Sequence, residues 1–137
     1  MSEANVEIIR RGWRAYEQGG MEAILPFYSQ DCVIVDAPEI PDAVTRRGWE
    51  GVTTVFGNFL GMWNQLSLTP EEFIEVGEDV VVAVYAMEGS GRDSGTPIRA
   101  TMAIVYDVAD GVIVRHRNFV SREAALEAAG DQGSRAE

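Results

Sequence analysis

A run of four β segments in the second half of the chain constrains the fold most strongly. Segments rich in Val and Ile, a composition typical of strands, cover residues 73–76, 80–87, 98–108 and 112–120. Their connections fit hairpins, since residues 77–79 form a short link and Asp110-Gly111 is a dipeptide that favours tight turns. The sequence therefore predicts an antiparallel meander.

Helical periodicity marks the rest of the chain. Apolar residues recur at steps of three and four over residues 3–18, and on a wider face over residues 49–65, so both ranges are predicted to be amphipathic helices. A short second helix that contains Pro26 follows Gly19-Gly20, and a short strand is expected over residues 32–35. Ser121 can cap a last helix that ends at Gly130.

These elements predict one α+β domain. Helices are expected to pack in the concave face of a strongly curved, mixed or antiparallel sheet, which gives a cone-shaped, cystatin-like α+β barrel. A chain of 137 residues supplies one core, so residues 1–130 are assigned to a single domain and residues 131–137 to a flexible tail. A cone of this kind leaves a cavity between sheet and helices, which is a usual place for a small ligand.

Composition excludes several classes of partner and cofactor. Lys and Arg total 11 against 22 Asp and Glu, and the net charge of −11 repels nucleic acids and acidic lipid surfaces. With one Cys and one His, the chain cannot form a disulfide framework or a His-based zinc site, and it lacks the spacing of a calcium loop. We expect no metal, no cofactor and no membrane partner. The N-terminus has no basic segment followed by an apolar one, so a cytoplasmic protein is expected.

Asp36 is the first candidate for acid/base chemistry. It ends the first predicted strand, on the same side as Cys32 and Ile34. A carboxylate in an apolar cone can abstract a proton next to a carbonyl without a cofactor. Alternatively, Asp36 fixes the proline-bounded loop that follows it, with its charge in water. Glu39 and Asp42 in that loop are expected to be solvated or to rim the mouth of the cone.

His116, the only histidine, is the second catalytic candidate. It alternates with two arginines along its strand, so His116 and Asn118 are predicted to face the cone. A neutral imidazole there could shuttle protons or orient a carbonyl. The alternative is a histidine that is hydrogen-bonded within the sheet or faces solvent.

The remaining candidates would line the cone and bind the substrate. They are mostly aromatic and methionine side chains at helical or strand spacing, supplemented by hydroxyl and amide groups: Tyr16, Phe56, Phe59, Trp63, Tyr85, Met102 and Asn118, with Trp13 and Tyr106 beside them. Residues of these types form core contacts more often than ligand contacts. Both interpretations stay open.

The chain resembles the nuclear transport factor 2-like superfamily, and within it the SnoaL-like and ketosteroid-isomerase-like branch. The resemblance runs to Gly130 and is carried by four segments: YEQGGMEAILPFYSQDCVIVD, RRGWEGV, VYDVADGVIVRHRNF and SREAALEAAG. It implies the cone fold, a pocket-facing carboxylate at Asp36 and a homodimer packed through the sheet. This fold hosts isomerases, cyclases, epoxide hydrolases, dehydratases and binding-only modules.

The sequence lacks key catalytic residues of two enzyme types within this resemblance, which reduces the number of reactions expected of it. The ketosteroid isomerases hold the developing oxyanion with a first-helix tyrosine and a buried acid, and these positions carry Gly12 and Ala103 or Ile104 here. The arginine and last-strand aspartate of limonene epoxide hydrolases would fall near Tyr85 and at Asn118. Both activities are therefore disfavoured.

Two function classes remain. The first is a cofactor-free acid/base enzyme of isomerase, cyclase or lyase type, acting on a small, apolar, carbonyl-containing compound, with Asp36 as base and His116, Asn118 or Tyr16 as hydrogen-bonding partners. The second is a hydrophobic-ligand-binding or dimerisation module without turnover. A homodimer is also expected because the helices committed to the inner face cannot cover the outer face of so long a sheet.

Overall fold

The computed structural model describes residues 2–37 and 44–136, with side chains over residues 4–37 and 44–130. Its helices are α1 (Ser2–Gly19), α2 (Met21–Ile24), α3 (Gly48–Gly61) and α4 (Arg122–Ala136), and a 3-10 turn (Leu25–Phe27) that contains Pro26 follows α2. Its strands are β1 (Tyr28–Val35), β2 (Thr45–Arg47), β3 (Trp63–Val76), β4 (Val80–Gly91), β5 (Pro97–Ala109) and β6 (Val112–Phe119).

The six strands form one mixed sheet in the order β2-β1-β6-β5-β4-β3. Strands β3 to β6 make the predicted antiparallel meander. Strand β1 joins it by pairing in parallel with β6, and β2 pairs antiparallel with β1 at the edge. The predicted α+β cone fold is confirmed, with a sheet that is open rather than closed into a barrel.

Both faces of the sheet are buried in its central strands. The inner cluster joins α1 and α3 to the concave face; its largest buried members include Ile9, Tyr28, Ile34, Val52, Tyr85 and Tyr106. The outer cluster joins α4 to β4 and β5 through Val80, Val82, Val84, Ala103, Val105, Ala125 and Ala129. Helix α4 thus covers part of the outer face.

This position of α4 differs from the expectation that the helices pack in the concave face of the sheet. Along β4, residues 80–85 are all buried, and their sequence VVVAVY has no polar alternate. Such a run is typical of a strand that is covered on both faces. The cap predicted at Ser121 is present, because its Oγ accepts a hydrogen bond from the backbone N–H of Ala124 at 3.0 Å. The predicted end of α4 at Gly130 is wrong, since the helix continues to Ala136.

The boundary between α3 and β3 also differs from the prediction. Helix α3 ends at Gly61, and Trp63 begins a strand in which it pairs with Gly91 of β4. The apolar steps that extended the predicted helix to residue 65 are overridden here by pairing with β4. Pro70 lies within β3, which tolerates it because β3 is an edge strand with a bulge between Pro70 and Glu72.

Candidate functional site

A cavity of about 410 Å³ lies between the helices and the concave face of the sheet. This volume falls within the range of roughly 300–1,000 Å³ that is usual for small-molecule sites. The wall is drawn from α1, α3, the end of β1, β3, β5 and β6: Trp13, Tyr16, Glu17, Asp36, Val55, Phe56, Asn58, Phe59, Leu60, Met62, Leu66, Ser67, Leu68, Thr69, Met102, Ile104 and Asn118. Most of these side chains are apolar, so the few polar groups determine which chemistry the cavity can support.

Six of the nine residues predicted from the sequence to be catalytic or to bind the substrate lie in this wall. They are Tyr16, Asp36, Phe56, Phe59, Met102 and Asn118. The prediction that His116 and Asn118 face inward agrees with their burial, since 0% and 6% of their surfaces are exposed. Alternation along β6 was sufficient to place both side chains on the inner face.

The other three residues do not line the cavity. His116 lies one layer behind Asn118, to which it is hydrogen-bonded. Tyr85 is fully buried behind Trp13, whose indole Nε1–H donates to the Tyr85 hydroxyl. Trp63 packs its ring against Phe59, with 6.1 Å between the ring centroids, because it belongs to β3 rather than to α3.

Sequence reasoning missed four polar wall residues. They are Glu17, Asn58, Ser67 and Thr69. Glu17 lies beside Tyr16 and Asn58 lies beside Phe59 on their helices, and no sequence pattern distinguishes them from other polar positions. Ser67 and Thr69 belong to a part of β3 for which the sequence analysis predicts no strand. Their position in the wall depends on the pairing of β3 with β4.

Asp36 combines the two roles that the sequence suggested for it. It lines the cavity, and it also forms hydrogen bonds with Val44, which follows the proline-bounded loop. Its backbone N–H donates to the carbonyl of Val44 at 3.1 Å, and its Oδ2 accepts the backbone N–H of Val44 at 3.2 Å. The second oxygen, Oδ1, receives no hydrogen bond from the described residues. Glu39 and Asp42 lie outside those residues.

A buried hydrogen-bonded chain extends from Asn118 into the core. Asn118 Nδ2 donates to the carbonyl of Val35 at 3.2 Å, and its Oδ1 lies 2.8 Å from His116 Nε2. On the other side of the ring, His116 Nδ1 lies 2.6 Å from the Tyr28 hydroxyl. The chain ties β6 to β1 and reaches the cavity at Asn118.

Burial keeps His116 neutral. The ring is fully buried and packs against the rings of Tyr28, Phe56 and Tyr106, with centroid distances of 5.1–5.8 Å. Desolvation lowers the pKa of His116 to about 4, and its hydrogen bond with Asn118 opposes this only in part. Within the described part of the chain, no carboxylate forms an ion pair with the ring. His116 is therefore not a charged partner of Asp36.

A second polar cluster lies behind Trp13. The Tyr85 and Tyr106 hydroxyls are 3.2 Å apart, and Trp13 Nε1 is 3.3 Å from the Tyr106 hydroxyl. Burial raises the pKa of Tyr85 well above its usual value and that of Tyr106 to about 12. Both hydroxyls therefore stay protonated and act as hydrogen-bonding groups within the core.

The described residues show no metal centre and no membrane-spanning helix. Among the side chains described, those of residues 4–37 and 44–130, no three His, Cys, Asp or Glu residues form a group able to hold a metal ion. Among the helices of residues 2–37 and 44–136, none has the length and apolar character needed to cross a bilayer.

The family of the chain follows from a match to a family model. The model for the SnoaL-like domain matches residues 9–116, which is more than half of the chain. The chain belongs to the SnoaL-like domain family. The resemblance inferred from the sequence segments is thereby confirmed. A comparison with curated protein sequences finds no match to this SnoaL-like chain.

Solved structures support the same fold. TerC, co-crystallised with polyporic acid, is 22% identical with a TM-score of 0.73, over 92% of this chain and 98% of TerC. A putative SnoaL-like polyketide cyclase from Jannaschia sp. CCS1 is 18% identical with a TM-score of 0.74, over 93% of this chain and 92% of the cyclase. A hypothetical protein with a ketosteroid isomerase-like fold from Catenulispora acidiphila DSM 44928, in complex with trimethylamine, is 21% identical with a TM-score of 0.68, over 90% and 92%. At these identities the similarity shows the fold alone.

Proposed function

We propose that this SnoaL-like protein is a cofactor-free acid/base enzyme of isomerase, cyclase or lyase type, acting on a small, largely apolar, carbonyl-containing compound. The observation that carries the proposal is the carboxylate of Asp36 in the wall of a cavity of about 410 Å³ that is otherwise mostly apolar. Two structural neighbours support it, one co-crystallised with polyporic acid and one described as a putative polyketide cyclase.

The chemistry needs only a base and a way to hold the substrate. Asp36 Oδ2 is occupied by the Val44 N–H, which leaves Oδ1 to accept a proton from a carbon next to a carbonyl. Tyr16 and Asn118 are the wall residues, among those chosen from the sequence, that can donate a hydrogen bond to the carbonyl oxygen. Phe56, Phe59 and Met102 would exclude water around the apolar part of the substrate.

The alternative is a hydrophobic-ligand-binding or dimerisation module that performs no reaction. The bond from the Val44 N–H to Asp36 favours it, because that bond gives the carboxylate a structural role at the end of β1. Under this alternative the cavity binds the same class of compound, and Asp36 serves to hold the returning chain.

Proton exchange on a simple ketone tests the proposal without knowledge of the substrate. We expect the protein to accelerate exchange of the α-protons of 1-tetralone or 2-tetralone in D₂O, followed by proton NMR. Asp36→Asn should reduce that acceleration by roughly 100-fold or more, since general-base catalysis contributes on that scale. Asp31→Asn is the matched control, because Asp31 is an exposed carboxylate on β1, the strand that Asp36 directly follows.

Other outcomes would contradict the assignment. Loss of exchange in Glu17→Gln with full activity in Asp36→Asn would transfer the role of base to Glu17, the other carboxylate among the described wall residues. A thermal shift with these ketones but no exchange in the wild-type protein would favour the binding module.

A homodimer packed through the sheet is part of the proposal, together with a cytoplasmic location. The buried members of the outer cluster under α4 lie on β4 and β5, so we place this contact at the β1 side of the outer face, where Val33 and Val35 are half-buried. Sedimentation equilibrium at micromolar concentration should give twice the chain mass of 15.0 kDa. A mass near that of one chain would contradict the dimer.

A further inference from the structure

The hydrogen-bonded chain behind the cavity has a fixed direction. It begins at the carbonyl oxygen of Val35, which can only accept. The Asn118 atom 3.2 Å from it must therefore be the amide nitrogen, which donates. The amide oxygen of Asn118 consequently faces His116 Nε2 at 2.8 Å.

The direction continues through the histidine. Because the Asn118 oxygen accepts, His116 Nε2 must carry the proton, and in a neutral ring Nδ1 is then an acceptor. The Tyr28 hydroxyl, 2.6 Å from Nδ1, donates to it. Each hydrogen bond between Tyr28, His116, Asn118 and the Val35 carbonyl therefore has only one possible direction. Reversing any of them would place two donors or two acceptors against each other.

One donor in this hydrogen-bonded chain has no partner among the described residues. The Asn118 amide has two N–H groups, of which Val35 takes one. The other forms no hydrogen bond with a residue in the described ranges. Asn118 is the member of the chain that lines the cavity, whereas Tyr28 and His116 are buried behind it.

We infer that Tyr28 and His116 are positioning residues that fix the Asn118 amide so that it presents an N–H donor to the cavity, and that the site therefore selects ligands with a hydrogen-bond acceptor such as a carbonyl oxygen. This inference rests on the proposed function in one respect, which is that the cavity is the ligand site. It changes the role of His116 from a catalytic residue to a positioning residue.

The arrangement also relates the donor to the proposed base. The Val35 carbonyl that anchors the amide belongs to the peptide bond joining Val35 to Asp36. Asn118 and Asp36 therefore meet at one point of the wall, to which both contribute.

The tautomer of His116 is the first test and needs no ligand. With ¹⁵N-labelled protein at pH 7, side-chain NMR should show a single neutral species protonated at Nε2. Asn118→Leu removes the acceptor of the Nε2 proton, and because the Tyr28 hydroxyl can either donate or accept, a mixture of the two tautomers is expected. Tyr106→Phe is the control, because it removes a buried hydroxyl whose ring contacts His116 but whose oxygen lies outside the chain. A wild-type ring protonated at Nδ1 would overturn the inference.

Ligand selection is the second test. Wild-type protein should bind 1-tetralone about threefold to tenfold more tightly than tetralin, the hydrocarbon of nearly the same shape, as expected for one hydrogen bond. Asn118→Leu should abolish this preference and Tyr28→Phe should reduce it, while Tyr106→Phe should preserve it. Calorimetry gives both dissociation constants. Equal affinities in the wild type, or an unchanged preference in Asn118→Leu and Tyr28→Phe, would overturn the inference.

These tests separate the inference from the proposed function. Asp36→Asn should retain the Nε2 tautomer and the preference for the ketone while losing proton exchange. If exchange depends on Asp36 but the preference does not depend on Asn118, the inference fails and the proposed function stands. If the preference depends on Asn118 and no exchange occurs, the inference stands and the proposed catalysis fails.

Discussion

His116 shows how one residue can look catalytic from sequence and have another role in the structure. As the only histidine, on the inner face of a strand, it was a reasonable candidate for acid/base work. Its pKa is indeed far from the usual value, but the main cause is burial rather than a neighbouring charge. A perturbed titration of His116 would therefore report its burial and would not indicate coupling to Asp36.

The pKa of His116 predicts acid-sensitive folding. Its pKa is about 4 in the folded protein and about 6.5 in the unfolded chain, so the unfolded state binds the extra proton between these values. The contribution of His116 to stability is therefore fully retained above pH 6.5 and is lost as the pH falls to 4, by about 3 kcal/mol. Urea unfolding at pH 7, 5.5 and 4 should show a steeper loss for the wild type than for His116→Gln. Equal pH dependence in the two proteins would contradict the assignment.

At the scale of elements, two glycines in the segment RRGWEGV direct the chain from β2 into α3. Gly48 has a φ of 73°, a left-handed conformation that side chains disfavour, and a Cβ there would lie 3.1 Å from the carbonyl oxygen of Gln30. At Gly51 a Cβ would lie 2.9 Å from the Cβ of Arg46. This close approach sets where α3 begins, and α3 supplies Phe56 and Phe59 to the cavity.

Alanine substitutions in α3 should have opposite effects according to their surroundings. Gly51→Ala should lower the free energy of unfolding by roughly 1–3 kcal/mol, since the backbone of Arg46 must move. Gly57→Ala should raise it by about 0.5–1 kcal/mol, because Gly57 is exposed in the same helix with open space around it. Urea unfolding measures both changes. If Gly51→Ala stabilised the protein as much as Gly57→Ala, the close contact would not exist.

For the whole molecule, the decisive property is that the cone is not filled by its own aromatic side chains. Trp13, Phe56 and Phe59 stand along the wall and leave about 410 Å³ between them. Tyr28, Tyr85 and Tyr106 instead fill the core behind that wall. The cavity therefore coexists with a packed core, and its volume is separate from the space that the core side chains fill.

Filling the cavity should block ligand binding and leave the fold intact. A saturating apolar ketone such as 1-tetralone should raise the melting temperature by mass action. Met102→Trp places a large ring in the cavity and should abolish this shift. Thr53→Trp adds the same ring on the exposed side of α3 and should preserve it. An unchanged shift in Met102→Trp would show that the ketone binds elsewhere.

Features with a local cause were predictable from the sequence. The periods of three to four residues and of two residues identified α1, α3 and the meander, because apolar side chains must share a face to be buried. The turn at Asp110-Gly111 followed from the dipeptide, and both residues have positive φ, 52° and 81°. Alternation along β6 placed His116 and Asn118 on the inner face.

Features that depend on distant contacts required the tertiary structure. Tyr28 and His116 are 88 positions apart, and Asn118 and Val35 are 83 apart, so no local pattern could show that they form one hydrogen-bonded chain. Trp63 belongs to β3 rather than to α3 because it pairs with Gly91 of β4. Helix α4 packs on the outer face because β4 and β5 present apolar side chains there. The periodicity of a strand or helix determines which of its side chains lie on the inner face. Whether such a side chain reaches the cavity depends on the distant residues that pack in front of it.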